Sequence, residues 1–152
     1  MSNKKRGKIQ APQIQAKNRP LPKIESKISI SLRHLSKNKQ RNFDFFTDKN
    51  FRQKEKAFSQ FIDFLKRLTD KTRLEISSKS KFEDCGFENI RYQYVNCIPD
   101  NCELSKDTNI SVFRFGDNAS NGDYRVLGFF NEGSQTFNII GFDFDYSAYK
   151  HD

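Results

Sequence analysis

Three runs near the end of the sequence constrain its fold more than any other feature. Residues 110–115 (Ile-Ser-Val-Phe-Arg-Phe), 123–130 (Asp-Tyr-Arg-Val-Leu-Gly-Phe-Phe) and 136–145 (Thr-Phe-Asn-Ile-Ile-Gly-Phe-Asp-Phe-Asp) are dominated by β-branched and aromatic residues. The stretches between them, 116–122 and 131–135, are rich in Gly, Asn and Ser, as hairpin loops are. Consecutive antiparallel strands are therefore predicted. Two arginines, Arg114 and Arg125, stand inside these otherwise apolar runs. A guanidinium in such a place must reach a carboxylate, an anion or solvent, because an unpaired buried charge is costly. Phe142 and Phe144 alternate with Asp143 and Asp145, so carboxylates of the same sheet offer one set of partners. Cross-strand ion pairing of this kind contributes some tenths of a kcal/mol up to about one. A bound anion is the other reading.

Upstream, Thr47 or Asp48 can cap a helix running to about Leu68. Phe51, Phe58, Phe61, Ile62, Leu65 and Leu68 recur at helical spacing and predict one apolar stripe, read as core. Before it, Ile28, Ile30 and Leu32 alternate with polar residues, and Phe43, Phe45 and Phe46 resume after a polar turn. Residues 27–46 thus read as a hairpin, with His34 at the end of its first strand. Residues 74–76 and 90–95 are short strand candidates, 77–88 a polar loop and 96–109 a long excursion.

The net charge of +8 is unevenly spread. Residues 1–27 hold eight Lys/Arg against one Glu, residues 28–81 fourteen against six, and residues 82–152 five against twelve. The chain is basic in its first half and acidic in its second, which suits contact with a polyanion through the first. Residues 1–26 have little to bury and three prolines, and they read as a flexible basic tail. Lys4, Lys5, Arg6 and Lys8 in this tail, with Lys54, Lys66 and Arg67 on the helix, are the candidate nucleic-acid contacts. No apolar run approaches the roughly 20 residues of a membrane span. The basic start lacks the apolar segment of a secretory signal, so a cytoplasmic location is expected. Cys85, Cys97 and Cys102 match no standard ligand spacing and read as reduced thiols; no metal and no cofactor are expected.

Phe113-Arg114-Phe115, Tyr124-Arg125-Val126-Leu127, residues 137–141 and Ser147-Ala148-Tyr149 together resemble the RelE/ParE superfamily of small bacterial toxins. The resemblance covers about 40 of the 152 residues. It implies helices packed on an antiparallel sheet, with a leading strand followed by two helices where the local pattern here reads as a hairpin and one helix. For the RelE branch it implies metal-independent cleavage of mRNA in the ribosomal A site and neutralisation by an antitoxin. By the same resemblance, Arg114 and Arg125 would hold the scissile phosphate. Tyr149 would stack on a base or assist proton transfer, and His151 would act as general acid or base. Attack by the RNA 2′-hydroxyl needs a base, a cation for the phosphorane and an acid for the leaving oxygen, and these residue types supply all three.

The sequence thus predicts one α+β domain over residues 27–152, an antiparallel sheet of five to six strands on one long helix, behind the tail of residues 1–26. Its expected function is that of a RelE-like endoribonuclease with RNA or the ribosome and an antitoxin as partners. The competing expectation is a non-catalytic RNA- or protein-binding accessory module of a phage or mobile element.

Overall fold

A computed structural model describes residues 26–50, 52–77, 81–82, 85–96, 104–116 and 124–150. Among them are strands β1 (Ser29–Ser31), β2 (Lys81–Phe82), β3 (Cys85–Arg91), β4 (Asn109–Phe115), β5 (Tyr124–Phe130) and β6 (Thr136–Asp143). Two α-helices, α1 (Lys54–Thr69) and α2 (Arg73–Ser77), lie between β1 and β2. The fold is α+β, with one long helix on a sheet in the order β1-β6-β5-β4-β3, extended at its outer edge by the two-residue β2. The three terminal runs form β4, β5 and β6, paired antiparallel as expected. The sheet is nevertheless mixed, because β1 runs parallel to β6.

The first strand's partner is the main departure from the local pattern. Residues 42–46 do not return as a strand; Phe43–Thr47 is a 3-10 turn whose first N–H groups are capped by Asn42, the side chain accepting from Asp44 N at 2.9 Å. In a 3-10 turn residues i and i+3 share a side. Phe43 and Phe46 therefore both reach the core, and Phe45 stacks on Phe144 with ring centroids 4.2 Å apart. Period two and period three are both present in Asn-Phe-Asp-Phe-Phe, and burial selects the second.

The long helix starts at Lys54, later than a Thr47 or Asp48 cap would put it, because the 3-10 turn occupies those residues. Its fully buried stripe is Ala57, Phe61, Phe64 and Leu68, with Ile62 and Leu65 half-buried on the flank. Phe58 is more exposed than the stripe predicts, at 44 %. Residues 74–76, expected as a strand, belong to α2. Thr72 and Glu75 form a capping box there: Glu75 N donates to Thr72 Oγ1 (3.2 Å) and Thr72 N to Glu75 Oε1 (3.4 Å). β2 and the start of β3 fall within 77–88, the expected loop, and the chain leaves β3 through a 3-10 turn at Tyr92–Tyr94.

Two apolar layers flank the sheet. On the helix face, the α1 stripe packs on Phe113, Phe115, Val126, Phe137, Ile139 and Phe142. Burying each such side chain contributes roughly 1.5–3 kcal/mol. On the outer face, Ile110, Val112, Leu127, Phe129 and Ile140 are covered by Ala148 and Tyr149 of the chain's end. A bulge in β6 makes this possible: Leu127 pairs with Gly141 and Gly128 with Ile139, leaving Ile140 extra. Gly128 is required at the bulge. A Cβ there would lie 2.5 Å from the Asn138 carbonyl oxygen and from the Phe137 ring. No described helix is long and apolar enough to cross a membrane.

Candidate functional site

Strand register gathers the charged residues of the outer face into one row. Arg125 is the direct partner of Arg114 on one side and of Asp143 on the other, so the three side chains leave the same face. Glu88 of β3 is opposite Val112, two residues before Arg114, and so projects from that face as well. Arg114 is exposed, whereas Arg125 is only 8 % exposed and Asp143 is completely buried. The two arginines named by the sequence are thus neighbours, one open to solvent and one recessed.

Beyond β6 the chain turns back over this row. Tyr146 takes a left-handed backbone conformation (φ 64°), unusual for a residue with a Cβ, and its ring sits 4.3 Å from the Arg125 guanidinium carbon. That ring remains 41 % exposed. Tyr149, expected as a stacking or proton-transfer residue, is only 4 % exposed and offers no open ring face for stacking. Its O–H donates to Glu88 Oε1, and its backbone bridges to Val95. Burial, then the hydrogen bond and charge of Glu88, push the Tyr149 hydroxyl well above the usual tyrosine range, with Arg125 acting against them. Tyr149 is therefore a protonated donor fixed on a carboxylate.

A third arginine enters the cluster, one that sequence reasoning missed. Arg41 is 2 % exposed, and its Nη1 lies 3.6 Å from Asp143 Oδ1 and 3.3 Å from Asp145 Oδ1, while Nη2 donates to Ser147 Oγ. Asp143 Oδ1 also accepts from Asp145 N (3.3 Å) and Ser147 N (3.1 Å). Burial opposes ionisation of Asp145, but hydrogen bonds from Ser147 and Arg41 and the Arg41 charge outweigh it and hold its carboxyl below the usual range. Arg41 stands in the polar run Lys37-Asn-Lys-Gln-Arg-Asn42, where nothing local distinguishes it. The only signal was the pair of carboxylates in an apolar strand, which demanded a cation from somewhere.

The helix cations belong elsewhere. Lys54, Lys66 and Arg67 are on α1, which packs on the opposite face of the sheet from Arg125. They do not join the arginine row. His34 is half-buried, with its ring 5.4 Å from that of Phe129, towards the other end of β5. Lys4, Lys5, Arg6 and Lys8, His151, the Cys85 side chain, Cys97 and Cys102 lie outside the described residues, as does nearly all of the tail. Among the described residues no group of three His, Cys, Asp or Glu side chains is placed to hold a metal ion.

The best-formed cleft, about 200 Å³, is not at the arginines. Among the described residues it is lined by Arg73, Ile76, Ser77, Asn89, Asn109, Ser111 and Phe130, none of them a carboxylate or imidazole. Arg73 is already committed there to the carbonyls of Asn131 and Ser134. The charged and phenolic groups gather instead on the outer face, where Glu88, Arg114 and Tyr146 are exposed and Arg125 and Tyr149 lie buried beside them. Compared with known proteins, the chain matches no family model, no curated protein and no solved structure.

Proposed function

We propose that this chain binds RNA on the outer face of its sheet and cleaves it, as a RelE-like toxin restrained by an antitoxin. The observation that carries the proposal is the row Glu88, Arg114 and Arg125, roofed by an exposed tyrosine ring. Such a row combines a cation for phosphate with an aromatic face for a splayed base, the pairing by which single-stranded RNA is commonly held. Arg114 and Arg125 would stabilise the phosphorane. Glu88 would take the 2′-hydroxyl proton, Tyr149 holding its carboxylate in place. The leaving oxygen would be protonated by His151, as the resemblance implies. Base stacking passes from Tyr149 to Tyr146, which is the exposed ring. The order of elements, a strand and then two helices before the remaining strands, is also the order implied by the resemblance.

One observation favours the rival reading, a non-catalytic RNA-binding module: Arg125 is recessed and neighboured by carboxylates. Controlled expression separates the two. Induced wild-type protein is expected to arrest growth with loss of intact mRNA, and Arg125→Gln or Tyr146→Gly is expected to relieve both. Normal growth with wild type, together with RNA binding that survives these substitutions, would leave the module reading in place. A ribosomal site of action, and neutralisation by an antitoxin, belong to the same proposal.

A further inference from the structure

We propose that Arg41 is a positioning residue of the RNA site, one that neutralises Asp143 and Asp145 and thereby keeps the Arg125 face receptive to a phosphate. This inference rests on the reading that RNA occupies the row of Arg114 and Arg125. The difficulty it resolves is electrostatic. Asp143 is the strand partner of Arg125 and is completely buried, and Asp145 follows two residues later. Asp143 beside the recessed arginine, with Asp145 two residues further on, would make this end of the face unfavourable for a phosphate. Burying a carboxylate is costly unless it is paired and hydrogen-bonded.

Arg41 supplies that pairing from outside the strand row. The segment before α1 continues along the edge of β6 beyond its pairing with β1, with Ser36 N donating to Ile140 O (2.8 Å) and Phe142 N to Arg41 O (3.0 Å). This docking points the Arg41 side chain inward, to Asp143, Asp145 and Ser147. The guanidinium fork suits such convergence, since it offers several fixed donors to acceptors on one turn. The turn so gathered, residues 143–147, carries Tyr146 in its left-handed conformation over Arg125. Arg41 therefore offsets the carboxylates and shapes the turn that presents the stacking ring. At 2 % exposure it cannot itself touch RNA.

Charge compensation has a signature that a merely structural role lacks: removal of the cation is rescued by removal of its anions. The full chain and its variants Arg41→Met, Arg41→Lys and Arg41→Met/Asp143→Asn/Asp145→Asn are titrated into a fluorescein-labelled single-stranded oligoribonucleotide, with anisotropy read at several salt concentrations. Arg41→Met is expected to weaken binding about tenfold or more, and Arg41→Lys to lose less. The triple variant should return to within about threefold of wild type. A folded triple variant that binds as weakly as Arg41→Met, or an Arg41→Met protein that binds like wild type, overturns the role of Arg41. If Arg41→Met does not fold, the triple variant and Arg41→Lys decide alone: loss of binding in both, with the fold retained, overturns it. Failure of wild-type protein to bind the oligoribonucleotide is a different outcome, and it removes the RNA reading along with the inference.

Discussion

Tyr149 shows how far a residue's environment can move it from the role its type suggests. Its ring is sealed into the outer apolar layer and its hydroxyl is committed to Glu88. The folded state holds this proton more tightly than the unfolded chain does, whose tyrosines titrate near 10.0. The resulting stabilisation is complete below that pH and is lost as pH rises through the higher folded value. Urea titrations of the wild type between pH 8 and 11 are expected to show stability falling above about pH 10. In Tyr149→Phe that alkaline fall should shrink but not vanish, since burial also raises the hydroxyl of Tyr124. An unchanged alkaline slope in Tyr149→Phe would show that the hydroxyl is not held as described. Arg114 and Arg125 were legible from sequence because cations stand out in apolar strands. Arg41 was not, because its partners are about a hundred residues away, and a polar run looks the same whether its arginine faces water or a buried carboxylate.

At the scale of elements, what was legible is what burial on both sides imposes. β4, β5 and β6 are covered by α1 on one face and by the chain's end on the other, so their sequences are almost continuously apolar and their loops stand out. β3 carries apolar neighbours less regularly, and its first residues merge with a polar stretch. α2 reads as a strand in the sequence because Leu74-Glu-Ile76 alternates, whereas the Thr72-x-x-Glu75 capping box is the local signal for the helix that forms. The parallel pairing of β1 with β6 is a matter of topology, which no local pattern encodes. The bulge at Ile140 is the element-scale feature on which both layers depend, and Gly128 admits it. Gly128→Ala forces a methyl group against backbone and a packed ring, and overpacking of this kind costs about 1–3 kcal/mol. Denaturant titration should therefore show a lowered midpoint with an unchanged slope; a wild-type midpoint would mean that β6 moves aside freely.

For the whole molecule, the contrast between a basic first half and an acidic second half takes on a spatial meaning. The helix cations and the arginine row lie on opposite faces of one sheet, and the outer face carries its own carboxylates. Local pairing rather than overall charge organises the outer face: Arg41 is set against Asp143 and Asp145, and Glu88 accepts the Tyr149 hydroxyl. The fold class was legible because an amphipathic helix and three adjacent strands admit few packings. The layout of the site was not, because it depends on a segment from before the helix meeting a turn after the last strand. The central claim is that Arg114 and Arg125 act on an RNA phosphodiester, and its most direct measurement is the chemistry of the RNA ends. A defined mRNA in a translation reaction, treated with wild-type protein or Arg125→Gln, is mapped for new 5′-hydroxyl ends. Wild type should generate such ends, paired with 2′,3′-cyclic phosphates, as attack by the 2′-hydroxyl requires, and Arg125→Gln should generate few. Intact mRNA with wild-type protein, or equal cleavage by both, would contradict the claim.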